Sequence, residues 1–200
     1  GSRIIEEIAY WGGTAVNVDI SNARDEKSHT FACDTTNESA VMACVTEIQK
    51  HYGRIDGLVN NAYPRTADWG KKWEEIPFES WQKNVDFQLN GYYLFAREVL
   101  KVMTAQKSGS IVNMSSIYGI VGPDFSVYGD TGMTMPAAYA AIKGGLINLS
   151  RYMATYFGKH NIRVNCVSPG GIFNSQPDDF VKNYNERTPL GRMGTPDDIA

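Results

Sequence analysis

Two hydrophobic periods alternate along this chain. Short apolar runs ending in polar residues or glycine recur at Val16-Asn17-Val18-Asp19, Thr30-Phe31-Ala32-Cys33, Ile55 to Asn60, Ser110 to Ser115 and Arg163 to Ser168. Each has the length and composition of a buried strand, and Pro169-Gly170-Gly171 stops the last one. Between them, Val41 to Tyr52, the stretch around 81–105 and Ala137 to Phe157 carry apolar residues at helical spacing. Strand and helix in alternation predict an α/β fold of the Rossmann type: a doubly wound parallel sheet between two helical layers, with ligands beyond the carboxyl ends of the strands.

Three clusters fall at those carboxyl ends: Asn60-Asn61-Ala62, Ser115-Ser116, and the pair Tyr139 and Lys143. Tyr139 and Lys143 stand four apart on a helix and so share a face. A Tyr-x-x-x-Lys pair is common by chance, and its weight comes from this context. A free phenol titrates near pH 10, and an ammonium held beside it favours the phenolate, so the pair suits proton exchange near neutrality. Asp19 puts a carboxylate at the tip of its strand, where it would accept hydrogen bonds from adenosine ribose hydroxyls and repel a 2′-phosphate. The next basic residue is Arg24, so NAD is favoured over NADP; the alternative is an ordinary strand-capping aspartate.

Taken in order, these motifs resemble the short-chain dehydrogenase/reductase family. Asn60-Asn61-Ala62 is similar to its Asn-Asn-Ala-Gly motif, with Tyr63 in the place of glycine. Ser116, Tyr139 and Lys143 match its catalytic serine, tyrosine and lysine, and Ser168-Pro169-Gly170 matches the turn beside the nicotinamide. Pro189 to Pro196 matches a later signature. The resemblance implies hydride transfer between nicotinamide and an alcohol or ketone carbon. Tyr139 would be the proton donor or acceptor, Ser116 the partner of the reacting oxygen, and Lys143 a contact to the cofactor ribose. It further implies cofactor contacts from Asn60, Ala62, Pro169, Gly170, Ile172 and Asn174, the last standing where a threonine is frequent. Asp34 matches an adenine contact, or else begins the following helix as its N-cap. Counting from Trp81, Gln88 occupies the position of the asparagine that links the lysine to water; Asn90 would serve only if the helix register shifts. A narrower likeness, carried by Tyr118 to Pro123 and then Met133 to Pro136, is to a subgroup of flagellin-modification and surface-polysaccharide oxidoreductases.

Gly1 stands 18 residues before Asp19, the family's spacing between the last glycine of the phosphate loop and this acid. On that alignment Gly1 is a cofactor contact, the first strand lies upstream, and the last strand lies beyond Ala200. A rival reading takes Gly1-Ser2 as an expression scar. Residues 1–200 are expected to be one dinucleotide-binding domain truncated at both ends, with strand edges left unpaired by the loss of a central strand.

Composition adds exclusions. The 42% hydrophobic content supports one sizeable core. A net charge of −3 gives no reason to expect nucleic acid, and no apolar run reaches a membrane span. Cys33, Cys44 and Cys166 read as reduced core thiols of a cytoplasmic protein, and His29, His51 and His160 lack metal-ligand spacing. The partner expected is a small-molecule substrate, with assembly into a homodimer or homotetramer through the long helices. The 22 residues between Ser116 and Tyr139 are glycine-rich and expected near the substrate. Arg65, Trp69, Lys71, Lys72 and Trp73 follow Ala62; indoles suit a sugar or other apolar face and the cations a phosphate or carboxylate, unless the segment is a solvated loop. Two other readings stay open: a cofactor-binding sensor or scaffold without turnover, and a sugar epimerase or dehydratase.

Overall fold

The computed structural model describes residues 1–21 and 29–200. Five parallel strands are flanked by helices. In chain order these are α1 (Ser2–Tyr10), β1 (Asn17–Asp19), β2 (Thr30–Ala32), α2 (Glu38–Tyr52), β3 (Gly57–Asn60), α3 (Phe78–Val85), α4 (Gly91–Gln106), β4 (Gly109–Met114), α5 (Ala137–Phe157), β5 (Ile162–Val167) and α6 (Asp178–Glu186). The α/β class and the order of its elements agree with the hydrophobic pattern.

The strands form two sheets rather than one. β1 pairs with β2, Val18 opposite Phe31, and β3, β4 and β5 form a second sheet in that order. Among the described residues β1 and β3 do not pair with each other. One apolar core nevertheless joins them: Phe31 belongs to the same buried cluster as Val41, Val99, Met103, Ile111 and Val164.

Helix ends depart from the hydrophobic pattern where polar side chains set them. α2 begins before Val41 because the Asn37 side chain accepts the Ala40 N–H at 3.0 Å. It ends at Gly53, whose φ of 77° suits a residue without Cβ. The stretch expected as one long helix is broken: α3 passes into a π-turn over Asp86–Asn90 before α4 begins. Such turns insert an extra residue and shift the register of the helix beyond them. A second cluster, Trp69, Tyr92, Ala138, Ile142 and Leu146, packs α5 against this turn, and a third gathers Val127, Tyr128, Phe180, Tyr184 and Met193 under α6.

Candidate active site

β4 ends at Met114, and the chain turns at Ser115 and Ser116 into a short 3-10 turn over Ile117–Gly119. Both serines are buried. Ser115 donates to the Lys143 carbonyl at 2.8 Å, tying the turn to α5. Gly119 makes this approach feasible: a Cβ there would sit 2.6 Å from the Lys143 carbonyl carbon. Ser116 caps the 3-10 turn through the Tyr118 N–H, and its side chain lies beside the Tyr139 phenol. Lys143 is 4% exposed; its Nζ donates to the Met114 carbonyl at 2.8 Å and lies 5.4 Å from the centre of the Tyr139 ring. Ser116, Tyr139 and Lys143 are thus brought together at the carboxyl edge of β4.

The electrostatics differ from the sequence expectation. Burial pushes the Tyr139 phenol above its ordinary range, against the lowering effect of the Ser116 side chain beside it. Burial also lowers Lys143 to about 8, partly offset by Cys166. The lysine therefore carries a weakly held proton, and desolvation of both groups outweighs the expected stabilisation of phenolate.

Tyr63, read in the sequence only as the replacement for a glycine, is part of this cluster. Its ring meets those of Trp69 and Tyr139 edge to face, at 5.8 Å in each case, and Lys143 Nζ lies 5.7 Å from its centre. Trp69 and Tyr139 are 6.2 Å apart, and Tyr92, deeply buried, lies 5.7 Å from the same Nζ. Burial raises the Tyr63 phenol to about 12, against the lowering effect of Trp69 and Arg65 beside it. The only sequence signal for this aromatic wall is the misfit of a bulky residue in a glycine position.

Gln88 lies elsewhere in the network than the family pattern implies. It is 1% exposed, and its amide donates to the Pro64 carbonyl at 3.0 Å, while Oε1 has no partner among the described residues. Asn90, despite the register shift of the π-turn, is exposed and bonds Asp86 at 2.6 Å. Asn60 also uses its side chain internally: it donates to Asn113 at 2.9 Å, and Asn113 donates to Ser150 at 2.8 Å, forming a buried bridge from β3 through β4 to α5.

The remaining candidates line the strand ends. Asp19, exposed at the end of β1, accepts the Ser21 N–H and hydroxyl at 2.9 and 2.7 Å, both on Oδ1, and these bonds lower its pKa. It therefore caps its own turn while staying ionised; Arg24 lies outside the described residues. Asp34 makes the same kind of turn with Thr36, and the N-cap of α2 falls to Asn37 instead. Gly1 lies beside Asn61, whose Nδ2 is 3.5 Å from the position a Cβ would take. Ala62 is exposed next to it. Pro169 accepts the Ile117 N–H at 3.0 Å, which holds the turn after β5 against the Ser116 turn. Gly170 packs on the Tyr184 hydroxyl, Ile172 bridges to Gly194, and the exposed Asn174 donates its N–H to Gln176.

Among the described residues no group of acids, histidines and cysteines is placed to hold a metal ion, and no helix is long and apolar enough to cross a membrane. A shallow cleft lined by Ile4, Glu7, Ile8, Trp11, Gly13 and Ala200 lies along α1 and contains none of these catalytic candidates.

A serine, tyrosine and lysine at the carboxyl edge of a parallel sheet define a nicotinamide-dependent oxidoreductase of the dinucleotide-binding class. Residues 8–200 match the family model described as Enoyl-(Acyl carrier protein) reductase. The chain is 30% identical to post-translational flagellin modification protein A of Campylobacter coli, over 92% of this chain and 72% of that protein. It is 31% identical to cis-4-hydroxycyclohexanecarboxylate dehydrogenase of Sinomonas cyclohexanicum, over 100% of this chain and 81% of that one. Among solved structures, it superposes on a short chain dehydrogenase from Leptospira borgpetersenii with bound NAD+ at a TM-score of 0.89, with 31% identity and coverage of 100% and 77%. The chain belongs to the short-chain dehydrogenase/reductase family and is an enzyme of nicotinamide-dependent hydride transfer at CH–OH or C=O groups.

Proposed function

We propose that this chain is an NAD-dependent oxidoreductase that interconverts an alcohol and a ketone on a small, sugar-derived or phosphorylated molecule. The observation that carries this reading is the convergence of Ser116, Tyr139 and Lys143 at the end of β4, with the Ser116 side chain beside the Tyr139 phenol and Lys143 Nζ 5.4 Å from the same ring. The donor set suits a dinucleotide: an ionised Asp19 at the end of β1, Gly1 beside Asn61, and a lysine ammonium at the end of β4. Bound nicotinamide supplies or accepts the hydride at the reacting carbon.

This chain's residues handle the proton. In reduction Tyr139 Oη gives its proton to the carbonyl oxygen as that oxygen gains charge; in oxidation it takes the hydroxyl proton. Ser116 Oγ, within reach of the same phenol, holds the reacting oxygen in place. Lys143 spends one of its three donors on the Met114 carbonyl, and the others would hold a ribose hydroxyl of the cofactor, while the proton that Tyr139 gives up is replaced from solvent. Gln88 acts on this group through Pro64 and the loop behind it. Asn60, Ala62, Asp34, Pro169, Gly170, Ile172 and Asn174 would hold the cofactor along the strand ends.

Preference for NAD is supported by Asp19, whose carboxylate disfavours a 2′-phosphate. A sugar-derived substrate is supported by the likeness to the flagellin modification protein and by the Tyr118 and Tyr184 side chains beside the site. Assembly as a homodimer or homotetramer is supported by exposed aromatic residues on the long helices, Tyr93, Tyr152 and Tyr156. Three cysteines with no disulfide support a cytoplasmic setting, and one apolar core shared by both sheets supports a single domain over 1–200.

The test is a fluorescence titration with NADH and NADPH, followed by turnover assays on wild type and Tyr139→Phe. Selective NADH binding, with turnover abolished and binding retained in the variant, is expected. Normal turnover by Tyr139→Phe refutes the assignment.

A further inference from the structure

The segment after Ala62 is strapped to α3 and the π-turn by a buried polar ladder that the proton chemistry does not require. Ser80, Asn84 and Gln88 stand four apart along one helical stripe, and all three are buried. Gln88 donates to the Pro64 carbonyl at 3.0 Å. Asn84 accepts the Thr66 N–H at 3.1 Å and donates to the Thr66 hydroxyl at 2.8 Å. Ser80 hydrogen-bonds Thr66 at 2.9 Å and donates to Asp68 at 2.6 Å. Residues 64, 66 and 68 thus face the helix, while Tyr63 and Arg65 face the catalytic side.

The result is a fixed wall. Tyr63 and Trp69 stand against Tyr139, and the Arg65 guanidinium lies 5.3 Å from the centre of the Tyr63 ring. Arg65 is exposed and has no carboxylate partner among the described residues. Arg3, Arg54, Arg97, Arg187 and Arg192 are each paired with an acid, and of the arginines without an acid partner among the described residues, Arg65, Arg151 and Arg163, it is Arg65 that lies against the aromatic wall. Lys71 and Lys72, also exposed, lie farther along the loop. A guanidinium without a carboxylate partner keeps donors available, and its planar fork matches the paired oxygens of a carboxylate or phosphate.

Resting on the alcohol–ketone reading above, we propose that Arg65 is a specificity residue that binds an anionic oxyacid group, a carboxylate or a phosphate, on the substrate. The ladder holds the arginine one aromatic ring away from the phenol that exchanges the proton, so the anion and the reacting carbon lie at a set separation. Tyr63 and Trp69 give the intervening part of the substrate an apolar face to lie on.

The experiment uses the full chain saturated with NADH and two matched pairs of ketones: 4-oxopentanoate against 2-pentanone, and dihydroxyacetone phosphate against dihydroxyacetone. Binding is read by calorimetry and turnover by NADH absorbance, in wild type, Arg65→Gln and Arg65→Lys. At least one anionic member should bind roughly 10- to 100-fold more tightly than its neutral mate, the range of a charged hydrogen-bonded contact. Which pair shows the larger ratio separates carboxylate from phosphate. Arg65→Gln should erase the ratio by raising KM for the anion far more than for its neutral mate, with NADH affinity retained, and Arg65→Lys should restore part of it. An arginine that only props up Tyr63 would weaken both members alike, and that outcome overturns the proposal. So does equal or absent binding of both anions. Arg65-dependent anion binding without turnover of any ketone would uphold the anion site while counting against the alcohol–ketone reading itself.

Discussion

Lys143 combines near-total burial with a single hydrogen bond, and its pKa of about 8 shows that the charged form is held at a cost. In the unfolded chain a lysine titrates near 10.4. The folded value is the lower of the two, so between about pH 8 and 10.5 the unfolded state binds more protons than the folded state, and stability rises with pH across that window. At roughly 1.4 kcal/mol per pKa unit, the gain attributable to this residue is about 3 kcal/mol, and below pH 7 the full penalty persists. Replacing the side chain by Lys143→Met keeps its length and removes the charge. The variant should therefore fold, lose turnover, and equal or exceed the wild type in stability at pH 7. The assay is urea denaturation of both proteins at steps from pH 6.5 to 10. The difference in unfolding free energy between wild type and Lys143→Met should be flat below pH 7 and then climb in favour of the wild type. Tyr139, Tyr63 and Tyr92 have raised pKa values, so they lose stability as pH climbs above their unfolded value near 10, but they do so in both proteins and cancel. Parallel pH profiles for the two proteins would show that the buried lysine carries no such penalty and would sink the reasoning.

Gly119→Ala places a methyl group 2.6 Å from backbone atoms that cannot rotate away, so it should destabilise the protein by about 1–3 kcal/mol and slow turnover, read from urea midpoints and initial rates. Asn84→Leu strands the Thr66 N–H and cuts the central rung of the ladder; a loss of about 2–3 kcal/mol is expected, with faster amide exchange confined largely to residues 63–69. Asp19→Ala removes the carboxylate at the end of β1 and should erode discrimination against NADPH, measured as the ratio of the two cofactor dissociation constants; an unchanged ratio would leave Asp19 as the cap of its own turn alone.

The architecture is legible in the sequence because its signals are local. Apolar runs such as Ile111-Val112 and the spacing that puts Tyr139 and Lys143 on one face require no knowledge of distant residues. The features hidden in the sequence depend on contacts between remote segments. Nothing in Asp86-Phe87-Gln88-Leu89-Asn90 marks a π-turn, because its extra residue is stabilised by packing against α5. Strand pairing is likewise decided between segments far apart in the chain, and the expectation of unpaired strand edges rests on the spacing of Gly1 and Asp19, not on the hydrophobic pattern. Asn60 has the motif of a cofactor contact, yet its side chain meets Asn113, 53 residues away, and a pairing at that separation leaves no trace in spacing. The direction of the Tyr139 shift departs from expectation for a related reason: the sequence shows which charges are neighbours, but desolvation depends on everything packed around them.

The glutamine at position 88 ties these threads together. An asparagine there would be one methylene shorter, and the Pro64 carbonyl, met by Nε2 at 3.0 Å, would lie beyond its reach from the same backbone. The longer arm thus closes the top rung of a ladder whose lower rungs are Asn84 and Ser80, and the rung nearest the site is the one next to Tyr63. That attachment leaves Oε1 buried without a partner, a loss of about 1–3 kcal/mol for an unsatisfied acceptor. A bulky tyrosine in place of glycine and a glutamine in place of asparagine are therefore not independent departures from the family pattern. The first puts a ring beside the catalytic phenol, and the second holds the backbone that carries it.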